Sequence, residues 1–209
     1  MKKILIYGDS NVWGDNFLTG VRIKDEKQWV NILKGKLGND YILLQEGLPG
    51  RIAGNEEEEK VFKNGKDSFI STFRTNSPVD VVIISLGTND LQIKYNKNSD
   101  DIISDLLWYK ETISNCFDDL DDRKKYFVDE KMPRRIYILP FSFDYKENAS
   151  VIFTEEKELE RQKIIKYFND NNIENIYFND ISLFDDGIHL NYDGHQRVAD
   201  KVFEVLKNE

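Results

Sequence analysis

Lys2-Lys3-Ile4-Leu5-Ile6-Tyr7-Gly8-Asp9-Ser10-Asn11 reads as a strand followed at once by a turn. Ile4 to Tyr7 form a short apolar, partly β-branched run bounded by Gly8, the pattern of a strand buried on both faces of a parallel sheet. In open α/β sheets, ligands and chemistry collect at the carboxyl ends of strands, so Ser10, just past Gly8, is in position to act as a nucleophile. Position alone does not assign that role, because Asp9, Ser10 and Asn11 are also ordinary turn and helix-cap residues.

A second stretch far downstream supplies the missing chemistry. The chain holds 2 histidines, and one stands in Asp185-Asp186-Gly187-Ile188-His189. A serine hydroxyl is a weak nucleophile until an imidazole takes its proton. The imidazole works best when a carboxylate fixes its tautomer and stabilises its charged form. Gly187 lets the backbone turn tightly, so Asp186 and His189 can meet from within one loop. Asp185 is the rival orienter. His195 falls in the first turn of the last helix and reads as a surface or packing histidine.

Between these ends the chain alternates strands and helices. Trp13-Gly14-Asp15 begins a polar connection, after which Trp29, Ile32, Leu33 and Leu37 recur at helical spacing with Gly38 as a stop. Tyr41–Gln45 is the second strand and Val79–Ser85 the third, with a helix over Asn64–Phe73 between them. Ser99 is expected to cap the next helix, whose stripe is Ile103, Leu106, Leu107, Ile113 and Phe117. The charged cluster from Asp118 to Lys125 reads as solvated surface. Arg135–Leu139 is the fourth strand, ending at Pro140. Phe141 to Tyr145 then either lines a pocket or packs as a loop clasp, with Phe141 and Phe143 the candidate lining residues. A helix over Phe153–Phe168, a fifth strand over Ile173–Phe178 and a last helix capped by Asp193 complete the pattern. This alternation implies an α/β fold: a flavodoxin-like three-layer α/β/α sandwich whose five-stranded parallel sheet has the order 2-1-3-4-5.

Composition bounds the rest. At 209 residues the chain fits one domain, 1–209, able to bury roughly 70% of its unfolded surface. Its 40% hydrophobic and 32% charged residues are those of a globular protein. A net charge of -9 argues against nucleic acid or an anionic membrane as partner. The single cysteine, Cys116, can form no internal disulfide and reads as a small core residue. The apolar run after Lys2-Lys3 is too short for a signal peptide, and no stretch approaches the ~20 apolar residues of a membrane span, so a cytoplasmic location is expected. The acidic run Glu56 to Glu59 reads as a solvated loop or helix start rather than a metal site.

Four blocks, Gly8-Asp9-Ser10-Asn11, Glu46-Gly47-Leu48-Pro49-Gly50-Arg51, Gly87-Thr88-Asn89-Asp90 and Asp186-Gly187-Ile188-His189, together resemble those of the SGNH (GDSL-like) hydrolases, in order and across nearly the whole chain. Gly-Asp-Ser-Asn-Val-Trp-Gly and Glu-Gly-Leu-Pro-Gly-Arg are most similar to the small arylesterase and acyltransferase branch. The resemblance implies that Ser10 is the nucleophile, His189 the general base and Asp186 its orienter. It further implies an oxyanion hole of the Ser10 N–H, the Gly50 N–H and the Asn89 side-chain amide, with Gly47 as the rival to Gly50. The sequence departs from the commonest family pattern at Asn11, which stands where leucine is expected and is a candidate substrate contact or cap of the next helix. Asp9 and Asp90 are expected to hydrogen-bond backbone amides and so hold Ser10 and Asn89. Trp13 is a candidate pocket wall or simple core, and Arg51 either meets an anionic substrate group or braces its loop.

The implied substrate is a short acyl ester, hydrolysed through an acyl-enzyme or passed to another alcohol, with no metal or organic cofactor. A homo-oligomer is compatible with the resemblance. Acetylated carbohydrate is the alternative substrate. Two rivals come from another class: a flavin-binding electron carrier using Gly8 to Gly14, and a non-catalytic binding module of the same fold. The first leaves the Gly-Thr-Asn-Asp and Asp-Gly-Ile-His blocks unexplained. No Gly-x-Ser-x-Gly elbow surrounds Ser10, which disfavours the α/β-hydrolase fold.

Overall fold

The computed structural model describes residues 1–57 and 59–207. Its centre is a wholly parallel sheet of β1 (Lys2–Gly8), β4 (Tyr41–Gly47), β5 (Val81–Ser85), β6 (Arg134–Ile138) and β7 (Asn175–Ile176), in the order β4-β1-β5-β6-β7. A separate antiparallel pair, β2 (Asp15–Asn16) and β3 (Val21–Arg22), lies between the first two sheet strands in sequence. Counting only the sheet strands along the chain gives 2-1-3-4-5, as expected from the alternation of strands and helices.

Side chains alternate across each strand, so a strand between two helical layers must be apolar on both sides. Ile4 and Ile6 of β1 join a core with α2 (Trp29–Leu37) and α7 (Tyr192–Lys207), whereas Leu5 and Tyr7 face the opposite layer. That layer is built from α3 (Gly65–Asn76), α4 (Ser99–Asp118) and α6 (Glu155–Asp170). In β5 and β6, Val81, Ile83, Ile136 and Ile138 take the first side, and Val82, Ile84 and Tyr137 the second. Each fully buried aliphatic side chain contributes about 1.5–3 kcal/mol relative to exposure, so the continuous apolar runs stabilise both interfaces at once.

The glycines at the sheet edge set how closely the first turn can approach. Gly8 pairs with Gly47 in the β1–β4 register. A methyl on Gly47 would lie 2.3 Å from the Trp13 backbone nitrogen and 2.7 Å from the Val12 carbonyl carbon. The short helix α1 (Ser10–Trp13) therefore sits directly on the β4 end, with Ser10 at its first position. Gly47→Ala is expected to destabilise by about 3 kcal/mol, because the obstruction is backbone and cannot rotate away. Thermal unfolding followed by circular dichroism should show a melting temperature roughly 6–12 °C lower. An unchanged melting temperature would mean that α1 can lift off β4 without cost.

Several elements differ from the expected boundaries. The fifth strand is only Asn175–Ile176. It is an edge strand bonded to β6 alone, and β6 is soon followed by Pro140, which has no N–H to extend the ladder. The cap of α4 is Asn98 rather than Ser99, forming a reciprocal capping box with Asp101. In α7, Asn191 rather than Asp193 accepts the first-turn bond, from the Gly194 N–H at 3.0 Å, while Asp193 accepts from the Ser182 hydroxyl. The Asp118–Lys125 cluster is exposed but helical: α5 (Leu120–Tyr126) is N-capped by Asp119 and buries no residue. Within α4, Leu107 and Phe117 only border the core, while Ile102 and Tyr109 are fully buried.

Candidate active site

The three loops that follow β4, β1 and β5 carry Gly50, Ser10 and Asn89, and these are neighbouring strands with β1 in the middle. They are also stitched together. The Leu48 N–H donates to the Gly8 carbonyl at 3.0 Å, and Arg51 Nη1 donates to the same oxygen at 2.9 Å. Asn89 Nδ2 donates to the Arg51 carbonyl at 3.0 Å. The buried Asp90 carboxylate accepts from the Ala53 and Gly54 N–H groups. Asp90 thus holds the loop after β4 to the loop after β5, a longer reach than bonding within its own turn. Asp9 caps α1 by accepting from the Asn11 N–H at 2.9 Å.

The histidine arrives from the far end of the chain. Asp186 Oδ1 accepts from both the Ile188 and His189 N–H groups at 3.0 Å, an Asx-type turn completed by Gly187 at φ 68°. Asn11 latches this loop to the first turn, its Oδ1 accepting the Leu190 N–H at 2.9 Å across 179 residues of sequence. The Trp29 indole N–H in turn donates to the Asn11 carbonyl at 3.1 Å. In the resulting arrangement His189 Nε2 lies 3.0 Å from Ser10 Oγ, and His189 Nδ1 lies 2.5 Å from Asp186 Oδ2. The His189 side chain is about one-fifth exposed, so solvent reaches the imidazole.

Electrostatics follow this geometry. Burial alone would raise the Asp186 pKa, but hydrogen bonds from the His189 ring and from the His189 and Ile188 amides outweigh it, and the carboxyl sits below its usual value. Burial likewise opposes the charged form of His189. The Asp186 bond and charge, reinforced by Asp15 and Asp9, nonetheless hold the imidazole pKa above its ordinary value. Burial pushes Asp9 up to about 6, against the Asn11 amide bond that favours its ionised form.

Each remaining candidate has a location. Gly47 is consumed by close packing against α1, while Gly50 follows three residues later at φ 77°. Among the described residues, neither the Ser10 nor the Gly50 N–H has an acceptor. Asn89 Oδ1 accepts from Gln92 Nε2 at 2.9 Å, which fixes the amide's orientation and leaves one Nδ2 hydrogen unengaged among the described residues.

The pocket candidates mostly resolve into structure. Phe141 and Phe143 are core residues: Phe141 joins the core under α7, and Phe143 stacks on Phe153 with ring centroids 4.1 Å apart. The segment is a clasp because its two rings find apolar partners on both sides of the sheet. Arg51 is buried, bonded to two carbonyls and lying 4.1 Å over the Tyr7 ring, contacts that brace its loop. Asn11 Oδ1 is engaged in the latch to Leu190. Trp13 is partly buried, belongs to neither core cluster, and carries Arg22 across its face. His195 is a packing residue: its Nδ1 accepts the Trp29 N–H at 3.2 Å, and burial drives its pKa down to about 4. Asp185 is exposed, and the carboxylate that pairs with His189 Nδ1 is that of Asp186. In the acidic run, Glu59 accepts from Lys94 and Tyr95 at 2.6 and 2.7 Å.

One residue near the imidazole escaped sequence reading altogether. Asp15 Oδ2 lies 3.9 Å from His189 Nε2, carried there by the β2–β3 hairpin. Two-residue strands show no periodicity, so no signal in the sequence exposed it.

Comparison with known proteins agrees with this architecture. Residues 4–202 match the profile described as GDSL-like lipase/acylhydrolase. No curated protein sequence matches the chain. Among solved structures, the native M. smegmatis aryl esterase is similar at a TM-score of 0.81 and 21% identity, covering 99% of each chain. A carbohydrate acetylesterase family member from Sinorhizobium meliloti has the same TM-score and identity, covering 99% of this chain and 98% of its own. A member of the lipolytic G-D-S-L family from Veillonella parvula is more distant, at a TM-score of 0.67 and 16% identity over the full length of both.

Proposed function

The chain belongs to the GDSL-like lipase/acylhydrolase family, the SGNH-type serine hydrolases acting on ester bonds, and from that premise we propose that it hydrolyses short acyl, acetyl-type esters through an acyl-enzyme on Ser10. The observation that carries this reading is the relay from Ser10 Oγ through His189 to Asp186, at 3.0 and 2.5 Å. With Nδ1–H donating to Asp186, Nε2 carries the lone pair and takes the Ser10 proton as Oγ attacks the ester carbonyl. The unengaged donors of Ser10, Gly50 and Asn89 are assigned to the oxyanion; donors fixed beforehand stabilise the charge without reorganising, each worth about 3–4 kcal/mol. The imidazolium then returns its proton to the leaving alcohol. Water, activated in the same way, releases the acid; an alcohol in its place makes the same site an acyltransferase.

The aryl and carbohydrate ester activities named for the neighbours set the probes: p-nitrophenyl acetate and an acetylated sugar. His189 must be neutral to act as base, and its pKa is raised above the ordinary 6.5. Protonated enzyme is inactive below that pKa, so kcat/KM is expected to rise with pH and level off above a midpoint higher than 6.5. A fluorophosphonate should label the protein once, on Ser10, by mass spectrometry. Activity that is flat from pH 5 to 9, or a label on another residue, would overturn the assignment.

A further inference from the structure

The imidazole nitrogen that serves Ser10 has a second neighbour. His189 Nε2 is 3.0 Å from Ser10 Oγ and 3.9 Å from Asp15 Oδ2, whereas Asp186 bonds the other ring nitrogen. Local structure fixes Asp15 there. Gly14 ends α1 at φ 86°, a left-handed conformation that favours glycine. Asp15–Asn16 then pairs with Val21–Arg22, the Ile23 N–H donates to the Gly14 carbonyl at 2.7 Å, and Gln28 Nε2 donates to the Ile23 carbonyl at 2.6 Å. The Asp15 side chain is one-quarter exposed. Among the described residues no lysine or arginine pairs with it. Its cross-strand partner Arg22 gives its Nε to the Trp13 carbonyl instead. An uncompensated carboxylate therefore stands beside the nitrogen that must protonate the departing alcohol.

To take that proton the alcohol oxygen must come within about 2.6–3.2 Å of Nε2. Every such position lies within about 7 Å of Asp15 Oδ2, so groups on the neighbouring carbons of the alcohol sit in the carboxylate's field. We infer that Asp15 is a specificity-determining residue on the leaving-group side, favouring esters whose alcohol carries a cation near the ester oxygen and disfavouring those that carry an anion. This rests on the serine esterase reading above. Because the carboxylate is partly solvated, the preference is expected to be about threefold to tenfold, and to weaken as salt screens it.

The test compares kcat/KM for acetylcholine and its uncharged isostere 3,3-dimethylbutyl acetate, in wild type and Asp15→Asn, at low and high salt. The expected result is a cation-to-neutral ratio that falls threefold to tenfold in Asp15→Asn and that falls with salt in the wild type. The wild-type salt response stands as a readout even if the variant folds poorly. A purely structural Asp15 would lower both esters alike; an unchanged ratio, or p-nitrophenyl acetate turnover with no preference for the cation, overturns this inference alone. A wild type that turns over none of the three esters overturns the esterase reading and this inference with it.

Discussion

Ser10→Ala is expected to lower kcat for p-nitrophenyl acetate by about 10⁴-fold or more, with the fold intact. The Ser10 hydroxyl is hydrogen-bonded to His189 Nε2, and alanine offers nothing there that the imidazole can activate. Whatever turnover remains would come from binding and from the three assigned oxyanion donors acting on water. The structural cost is small, since Ser10 loses one hydrogen bond at a partly solvated site, about 1 kcal/mol. The melting temperature should therefore move by only a few degrees while activity disappears. That dissociation separates a nucleophile from a cap: a Ser10 that served only the first turn of α1 would show the reverse, a lower melting temperature and retained hydrolysis.

The local features that the sequence displayed are those with a local cause. The β1 run is legible because both of its faces are buried, so no polar residue interrupts Ile4 to Tyr7. The Asp186–His189 turn is legible because a carboxylate can bond the amides two and three residues on without help from the rest of the chain. What stayed hidden depends on distant partners. Asn11 looked like a cap or pocket residue, yet its role is fixed by Leu190, 179 residues away. The position of Arg51 is set by Gly8, Glu46 and Tyr7, none of them its neighbour in sequence. Phe141 and Phe143 carry the same composition whether they line a pocket or fill a core, and only their burial separates the two. Helix α5 lacks an apolar stripe, so its charged sequence gave no helical period to detect.

The departure at Asn11 has a physical account of the same kind. A leucine there would pack but could not accept the Leu190 N–H, and that buried amide would be left without its acceptor. In this chain the polar side chain joins the two halves of the relay: the turn that carries Ser10 and the loop that carries His189. The Trp29 indole holds the same residue through its carbonyl. His195, which accepts the Trp29 backbone N–H, extends the brace one layer further into α7. The geometry of the Ser10–His189–Asp186 relay is thus braced by a network of core hydrogen bonds.

Asp186→Asn is expected to cost about as much as losing Ser10, roughly 10⁴-fold in kcat, despite a nearly isosteric side chain. The asparagine oxygen can still accept the Ile188 and His189 amides that now bond Asp186 Oδ1, so the turn should survive. The group facing His189 Nδ1 would then be an NH₂, a donor where a carboxylate oxygen stands 2.5 Å away. Nδ1 would have to become the acceptor, which moves the ring proton to Nε2 and points an N–H at Ser10 Oγ. An imidazole in that tautomer cannot take the serine proton. The variant also lacks the charge that holds the His189 pKa up, so its residual activity should level off at a lower pH than the wild type. Steady-state kinetics across pH, with the melting temperature as the folding check, reads both effects. A loss under tenfold with an unmoved pH midpoint would mean that Asp186 merely shapes the loop and that the imidazole is oriented by another group.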